Sequence, residues 1–476
     1  MAHKTHLYLF QNDLRLHDNE TLQLAAAGAD QLILVYCHDL RKYRNLKLGF
    51  RKTSHLRFEF LKACLEDLET SIRKLGSHLS IRTGKPEEVV SDLVDEYQVT
   101  KVFAQKEVAD EEVKVEQRLS EALGERNVEF NLIWGKTLYH LDDVPFPPEK
   151  TPLTFKSFRN KITKKIRPRK VFPTPTILPP NPFMSAGEQP SVEELSFETH
   201  EIKADFNIPI PAGETAALKR LQHYTFDTDL ILRYKYTRNK SLGLDYSSKF
   251  SAYMAHGCLS PRQIYFTVKE YEREVKRNIS TWWLMFEVIW RDFFKFQAMR
   301  FGNLMFSPGG IRERETNWVE DHDLFNRWRE GRTGIPFLDA HMRELVSTGF
   351  MSNRGRVNAA SFLTKDYRID WRWGAAWFEH CLIDYDVCSN WINWNTQALE
   401  IYYTNPVHQA MKYDKKGEYT LNWLPELAEL PKPLYHAPWL LTDAERESFG
   451  VKSYEPPVEV YKKWGRAMNA IKKAAP

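Results

Sequence analysis

An α/β doubly wound parallel-sheet domain followed by an all-α domain is what three features of this sequence predict. Over the first 135 residues short apolar runs alternate with amphipathic stretches, and between 140 and 212 proline crowds the chain. From about 213 onward the pattern turns helical and aromatic, and 13 of the 14 tryptophans lie there, Trp134 being the exception. With 476 residues and 42% apolar content the chain can bury more than one core, as two domains require.

The first apolar run is HLYLF, followed by LILVYC at 32–37, LSI at 79–81, KVFA at 101–104 and VEFNLI at 128–133. Helical patterns such as HLRFEFLKACLEDLETSIRKL lie between them. Strands spaced by helices need crossover connections, which predicts a parallel sheet with ligand sites at the strand C-terminal ends. No GxGxxG follows the first strand, so the dinucleotide fingerprint is missing. PFPPEKTP at 145–152 and FPTPTILPPNP at 172–182 can continue neither a helix nor a central strand. Residues 1–139 therefore read as the α/β domain, 140–212 as a long connector and 213–476 as the helical domain.

The formal charge of +4 is mild, yet KSFRNKITKKIRPRK at 156–170 carries eight cations and no acid. Such a run reads as a solvated face or loop, or as a surface that attracts phosphates. The four-residue apolar run before Gln11 is too short for a secretion signal, and no later run approaches a membrane span, so a cytoplasmic protein with no membrane association is expected. Cys37, Cys64, Cys258, Cys381 and Cys388 form neither a CxxC pair nor a ligand cluster, which predicts buried free thiols and no metal site. The last stretch, VYKKWGRAMNAIKKAAP, reads as a basic amphipathic helix.

Four clusters could carry chemistry. TWWLMFEVIWRDFFKF, 281–296, is apolar on nearly every side and marks a buried helix holding Glu287, Arg291 and Asp292. Glu287, Trp290 and Arg291 share one face; an intrahelical ion pair accounts for Glu287 with Arg291, whereas the wide indole beside them suits a planar ligand. Between 331 and 371, Arg354 and Arg356 flank Gly355 after Asn353, offering donors and close backbone approach. DYDVCSNWINW, 384–394, crowds carboxylates against indoles, and each buried charge there needs a compensating partner or ligand. Asp386 and Asn390 fall on one helical side; Asp384, two positions before Asp386, needs its own cation, for which Arg356 is a candidate. In DYSSKFSAYMAHGCLSPR, 245–262, Ser247, Ser248 and Ser251 precede a helix, which suits either an N-cap or a phosphate.

Taken together these segments resemble the photolyase and cryptochrome flavoproteins, and within them the cryptochrome-DASH branch. The resemblance runs almost end to end, through FQNDLRLHDNETL at 10–22, YKYTRNKSLGLDYSSKFS at 234–251, FEVIWRDFFKFQAMRFGN at 286–303, GRTGIPFLDAHMRELVSTGFMSNRGR at 331–356 and IDWRWGAAWFEHCLIDYDVCSNW at 369–391. It implies an α/β domain that often holds an antenna pigment, and a helical domain that holds FAD beside a surface cavity. By position it implies that Tyr234, Ser247, Ser248, Lys249, Phe250 and Ser251 wrap the FAD phosphates. Arg291, Asn353, Arg356, Asp384, Asp386 and Asn390 would surround the flavin ring, with Asn390 facing its N5. Glu287 would hydrogen-bond the substrate bases, Trp290 would stack on them and Arg354 would contact DNA. Trp394, Trp371 and Trp318 fall on the family's electron-relay indoles, and Glu107 on the glutamate that holds a folate antenna (methenyltetrahydrofolate).

The activity implied is light-dependent repair of cyclobutane pyrimidine dimers by electron transfer from reduced flavin, in single-stranded or distorted DNA, by a monomer. Two departures stand against it. Thr396 occupies the place of a second aromatic that packs on the dimer, and TQALEIYYTNPVHQAM, 396–411, shortens a glycine-rich segment at the cavity mouth. The alternative is a blue-light photoreceptor with the same flavin and relay and little or no repair. Asn390, Glu287, Trp290 and the lack of a tail beyond residue 470 weigh for repair.

Overall fold

The computed structural model describes residues 4–183, 187–195, 197, 210–400, 402–451 and 453–475. Strands β1 (Thr5–Phe10), β2 (Gln31–His38), β3 (Leu79–Thr83), β4 (Val99–Gln105) and β5 (Glu129–Ile133) form one sheet in the order β3-β2-β1-β4-β5, with every pairing parallel. Helices α1 (Glu20–Ala26), α2 (His55–Arg73), α3 (Pro86–Tyr97) and α4 (Asp110–Glu125) make the crossovers.

Alternation along each strand splits its side chains between two cores. Leu7, Leu9, Ile33 and Val35 pack with Val90, Leu93, Leu119 and Leu123 of α3 and α4. Tyr8, Phe10, Leu32 and Leu34 face the other way, onto Leu65, Leu68 and Ile72 of α2 and on into the helical domain through Phe250, Leu259 and Ile264. A sheet buried on both faces needs continuous apolar strands, and the runs LYLF and LILVYC are such strands.

Of the 140–212 stretch, residues 184–186, 196 and 198–209 lie outside the described residues. The rest is pinned down: Phe146, Phe155, Phe158, Ile162 and Leu178 are buried in the core beneath the sheet's inner face. The basic run is half helix and half loop, and its cations lie on the solvated side, as expected. Its first part forms helix α5 (Phe155–Thr163), with Phe155, Phe158 and Ile162 inward at helical spacing and the cations outward.

The helical domain contains α6 (Gly213–Gln222), α7 (Tyr234–Thr237), α8 (Phe250–His256), α9 (Pro261–Glu274), α10 (Ile279–Phe301), α11 (His322–Arg329), α12 (Pro336–Thr348), α13 (Asn353–Ser361), α14 (Trp371–Cys381), α15 (Val387–Leu399), α16 (Pro406–Tyr413), α17 (Glu418–Trp423) and α18 (Asp443–Ser448), and a final basic helix, Gly465–Ala474. Buried polar contacts clamp it to the sheet. Glu214 accepts from the backbone N–H of Leu16 and His17, each at 2.9 Å, and Arg262 pairs with Asp18 at 2.8 Å. Asp292, inside the apolar α10, accepts from Leu138 and Tyr139 N–H at 3.0 Å. Burial nevertheless pushes its carboxyl up to about 7. At Gly257, with φ of +72°, a Cβ would lie 2.1 Å from Asn12 O, so only glycine lets α8 meet the loop after β1. All five cysteines are buried and free, and among the described residues no helix is long and apolar enough to cross a membrane.

Candidate functional site

The helical domain encloses a cavity of about 320 Å³. It is bounded by Tyr234 of α7, by Ser247–Ser251, by Glu287, Trp290 and Arg291 of α10, by Asn353 and Arg356 of α13, by Asp384 and Asp386, and by Asn390 and Trp394 of α15.

One wall is fixed by compensated charge. Arg356 Nη2 donates to both oxygens of Asp384, at 2.9 and 2.8 Å, while its Nε donates to Met351 O. The cation expected for Asp384 is therefore the one present. Asp386 caps α15 by accepting from Ser389 N–H and takes Lys295 at 2.7 Å, with Arg291 at 3.6 Å. Burial alone would raise its carboxyl, but Lys295 and Arg291 outweigh that and hold it well below the usual carboxylate range. Asn390 donates through Nδ2 to Ala375 O at 3.0 Å, so its amide oxygen remains as an acceptor.

The ion pair expected between Glu287 and Arg291 does not form. Arg291 donates instead to Lys136 O and Met254 O, tying α10 to the sheet domain and α8. Glu287 pairs with Arg238 and accepts from Trp283 Nε1 at 3.0 Å. Burial raises its carboxyl despite these donors. Spacing placed Glu287 and Arg291 on one face, but Arg238, a cation from another segment, takes the acid. Trp290 also has a partner that spacing did not foresee: Phe155 of α5 stacks on it at 3.7 Å between centroids and 6° between planes, while the indole still lines the cavity.

None of the three serines caps α8. The cap position is Lys249, at φ +61°, with Ser247 and Ser248 before it and Ser251 in the first turn. Lys249 is buried between the rings of Tyr246 and Phe350, with Nζ 3.6 and 4.2 Å from their centroids, and among the described residues no carboxylate lies within ion-pair distance. Burial lowers its ammonium to about 7. A buried lysine without an acid, flanked by hydroxyls, is a fitting counter-charge for a diphosphate.

From the cavity a line of indoles leads outward. Trp394 lines the cavity and presses on Gly374, where a Cβ would lie 2.3 Å from the indole ring. Gly374 sits one turn after Trp371, which donates to Pro308 O at 3.0 Å, and the half-exposed Trp318 donates to the same carbonyl at 3.4 Å. Arg354 is half-buried against Tyr413 and donates to Asn239 and Gln409. Thr396 turns its hydroxyl back to Ile392 O and does not line the cavity, whereas Asn393 and Gln397 on the same helix do.

A second cavity, of about 80 Å³, lies between the domains and contains Glu107. Glu107 pairs there with buried Lys136 at 2.7 Å, and its backbone N–H donates to Glu116. Burial pushes Glu112 and Glu116, nearby on α4, up to about 7. A third, of about 180 Å³, opens at the C-terminal ends of β1 and β2 beside Gln11, Asp39 and Arg41.

Sequence reasoning did not single out Arg238, Lys295, Lys136, Phe155 or Gly374. Lys295 had a signal, since it stands four residues after Arg291 in a helix otherwise apolar. The other four come from distant segments with no spacing rule to connect them.

Residues 6–179 match the DNA photolyase family and 283–473 the FAD-binding domain of DNA photolyase. "Cryptochrome DASH" of Gloeobacter violaceus is 44% identical over 100% of this chain and 97% of its own length. The crystal structure of Synechocystis sp. PCC6803 cryptochrome superposes with a TM-score of 0.93 at 43% identity, covering 99% of this chain and 100% of that one. A bacterial class III photolyase from Agrobacterium tumefaciens gives 0.83 at 25% identity, covering 99% and 98%. The chain belongs to the photolyase/cryptochrome family, in its cryptochrome-DASH branch, and FAD is the cofactor of its helical domain.

Proposed function

We propose that this chain is a light-driven DNA photolyase that acts on cyclobutane pyrimidine dimers in single-stranded or distorted DNA. The observation that carries the reading is continuity: Lys249, Arg356, Asp386 and Asn390, suited to a flavin dinucleotide, line the same cavity as Glu287 and Trp290, suited to a base. When bound, reduced FAD supplies the light-driven electron that opens the dimer and is afterwards returned. The protein's part is placement. Asn390 offers its amide oxygen to a protonated ring nitrogen, Glu287 offers a raised carboxyl to the base edge, and Trp290 offers a stacking surface.

A dimer must leave the helix stack to reach this cavity, and an unpaired strand removes about a few kcal/mol of that cost. The single-strand preference follows from it. For the second pigment, a folate at Glu107 is supported by that carboxylate's place in the cavity between the domains, where Lys136 occupies Oε1 and leaves Oε2. The relay roles of Trp394, Trp371 and Trp318 are supported by their succession from cavity wall to surface.

The deciding experiment is repair of a cyclobutane dimer in single-stranded and duplex oligonucleotides by the purified, reduced protein, under blue light and in darkness. Light-dependent repair, faster on the single strand, is the expected result. Specific support for the alternative, a photoreceptor, comes from Thr396, exposed and turned from the cavity. Photoreducible FAD with no repair of either substrate would select it.

A further inference from the structure

Beside the cavity, the first turns of α10 carry a strip of aromatic rings set among cations. Trp282 and Phe286, one turn apart, lie 5.1 Å from each other, and Trp283 contacts both at 5.7 and 5.3 Å. Phe286 meets Trp290 edge-on at 6.4 Å, so the strip runs unbroken from the cavity rim outward. Trp282 is 39% exposed, and Tyr236 on neighbouring α7 is 71% exposed. Lys235 Nζ lies 5.0 Å from the Trp283 ring and 6.0 Å from that of Tyr236. From α5, Arg159 reaches within 6.0 Å of Trp282 and 5.5 Å of Phe286.

The carboxylates that touch this surface are already neutralised. Glu287 is paired with Arg238, and Glu272, which accepts the Thr281 hydroxyl, is paired with Lys269 at 2.6 Å. What remains is net positive charge interleaved with large rings, where water would otherwise select polar side chains. Single-stranded nucleic acid offers the matching chemistry, since its base faces stack on rings while its phosphates meet the cations. Duplex DNA keeps those faces inside its own stack.

We propose that Trp282, Trp283 and Tyr236, with Lys235 and Arg159, form a stacking platform for unpaired bases of single-stranded DNA next to the nucleotide that enters the cavity. The placement of the strand relative to the cavity rests on the repair reading above; binding of an undamaged strand does not. Stacking on one ring carries about fivefold to a hundredfold in affinity.

The test is binding of FAD-loaded, full-length protein to a labelled undamaged oligothymidine strand, to the same strand with one cyclobutane dimer, and to duplex. Trp282→Ala should weaken both single strands by about fivefold or more and leave duplex binding unchanged, with Trp282→Phe restoring most of the loss. Trp282→Ala within about twofold of wild type on the undamaged strand, at equal FAD content and melting temperature, overturns the platform. So does an equal loss on duplex, which would show that the ring does not act by stacking on unpaired bases. If wild type does not distinguish damaged from undamaged strands and Trp282→Ala still loses affinity, the platform stands and the repair reading fails.

Discussion

The two walls of the cavity are built by different means. On the side of Asp384, Asp386 and Asn390 every buried charge has a partner: Arg356 on Asp384, Lys295 and Arg291 on Asp386, and the backbone of Ala375 on the amide. On the side of Glu287 and Trp290 the groups are half-exposed, held by stacking and by a partner that a ligand can displace. A permanently bound cofactor calls for the first kind of wall, because its site must stay formed between turnovers. A substrate that enters and leaves calls for the second. Substitutions on the two sides should therefore fail differently.

The largest effect is expected where a buried pair is broken. Arg356→Ala leaves Asp384, whose side chain is 2% exposed, without a cation. Removing one partner of a buried pair costs about 3–5 kcal/mol, and the quarter exposure of Arg356 points to the lower end. Thermal unfolding should show the loss together with depleted FAD, and Asp384→Asn should cost less than Arg356→Ala. Equal melting temperatures for Arg356→Ala and wild type would remove charge compensation as the principle of that wall.

That pair was partly legible in the sequence for a physical reason: a buried carboxylate must find a cation, although Lys365, Arg368 and Arg372 stand nearer to Asp384 in the chain than Arg356 does. The sheet was legible too, because crossover helices between apolar runs dictate parallel strands. Glu287 was misread because helical spacing fixes which side chains share a face but not which of several cations wins them; Arg238 and Trp283 took the acid, while backbone carbonyls took Arg291. Phe155 on Trp290 was illegible, since 135 residues separate them and nothing in the sequence announces that the ring just before a basic run will stack on a distant indole. The relay indoles came from resemblance, and their connection through Gly374 and the shared Pro308 carbonyl is visible only in three dimensions.

Gly374 supplies the next test. Alanine there would push its Cβ to within 2.3 Å of the Trp394 ring and 2.6 Å of Leu363. Overpacking of this kind costs about 1–3 kcal/mol, and the ring must move to relieve it. Gly374→Ala should slow photoreduction of the bound flavin more than it slows light-independent chemical reduction. An unchanged photoreduction rate, with Trp394 shown displaced, would sever Trp394 from the relay.

On the open wall, Trp290→Ala should weaken binding of a dimer-containing single strand by about tenfold while FAD content stays at the wild-type level, since only stacking is lost. Phe155→Ala complements it: one face of the indole is freed without removing the ring, so dimer affinity should fall by less. If Trp290→Ala strips FAD and leaves dimer affinity alone, the two walls have been assigned the wrong way round.

The smallest effect concerns Lys249, the one cation of the cavity without a carboxylate among the described residues. In the cofactor-free fold its ammonium titrates at about 7, whereas an unfolded chain holds the proton up to about 10.4. Between those values the unfolded chain binds more protons, so the apoprotein gains stability as pH rises. FAD acts in the opposite sense. Its diphosphate needs the protonated lysine, so affinity is greatest below about pH 7 and declines as the proton is lost above it. Fluorescence titration of FAD into apoprotein from about pH 6 to about pH 9 should show that decline, and Lys249→Arg, charged throughout, should flatten it. The same slope in wild type and Lys249→Arg would mean that another group meets the phosphates and that Lys249 takes no part in holding the cofactor.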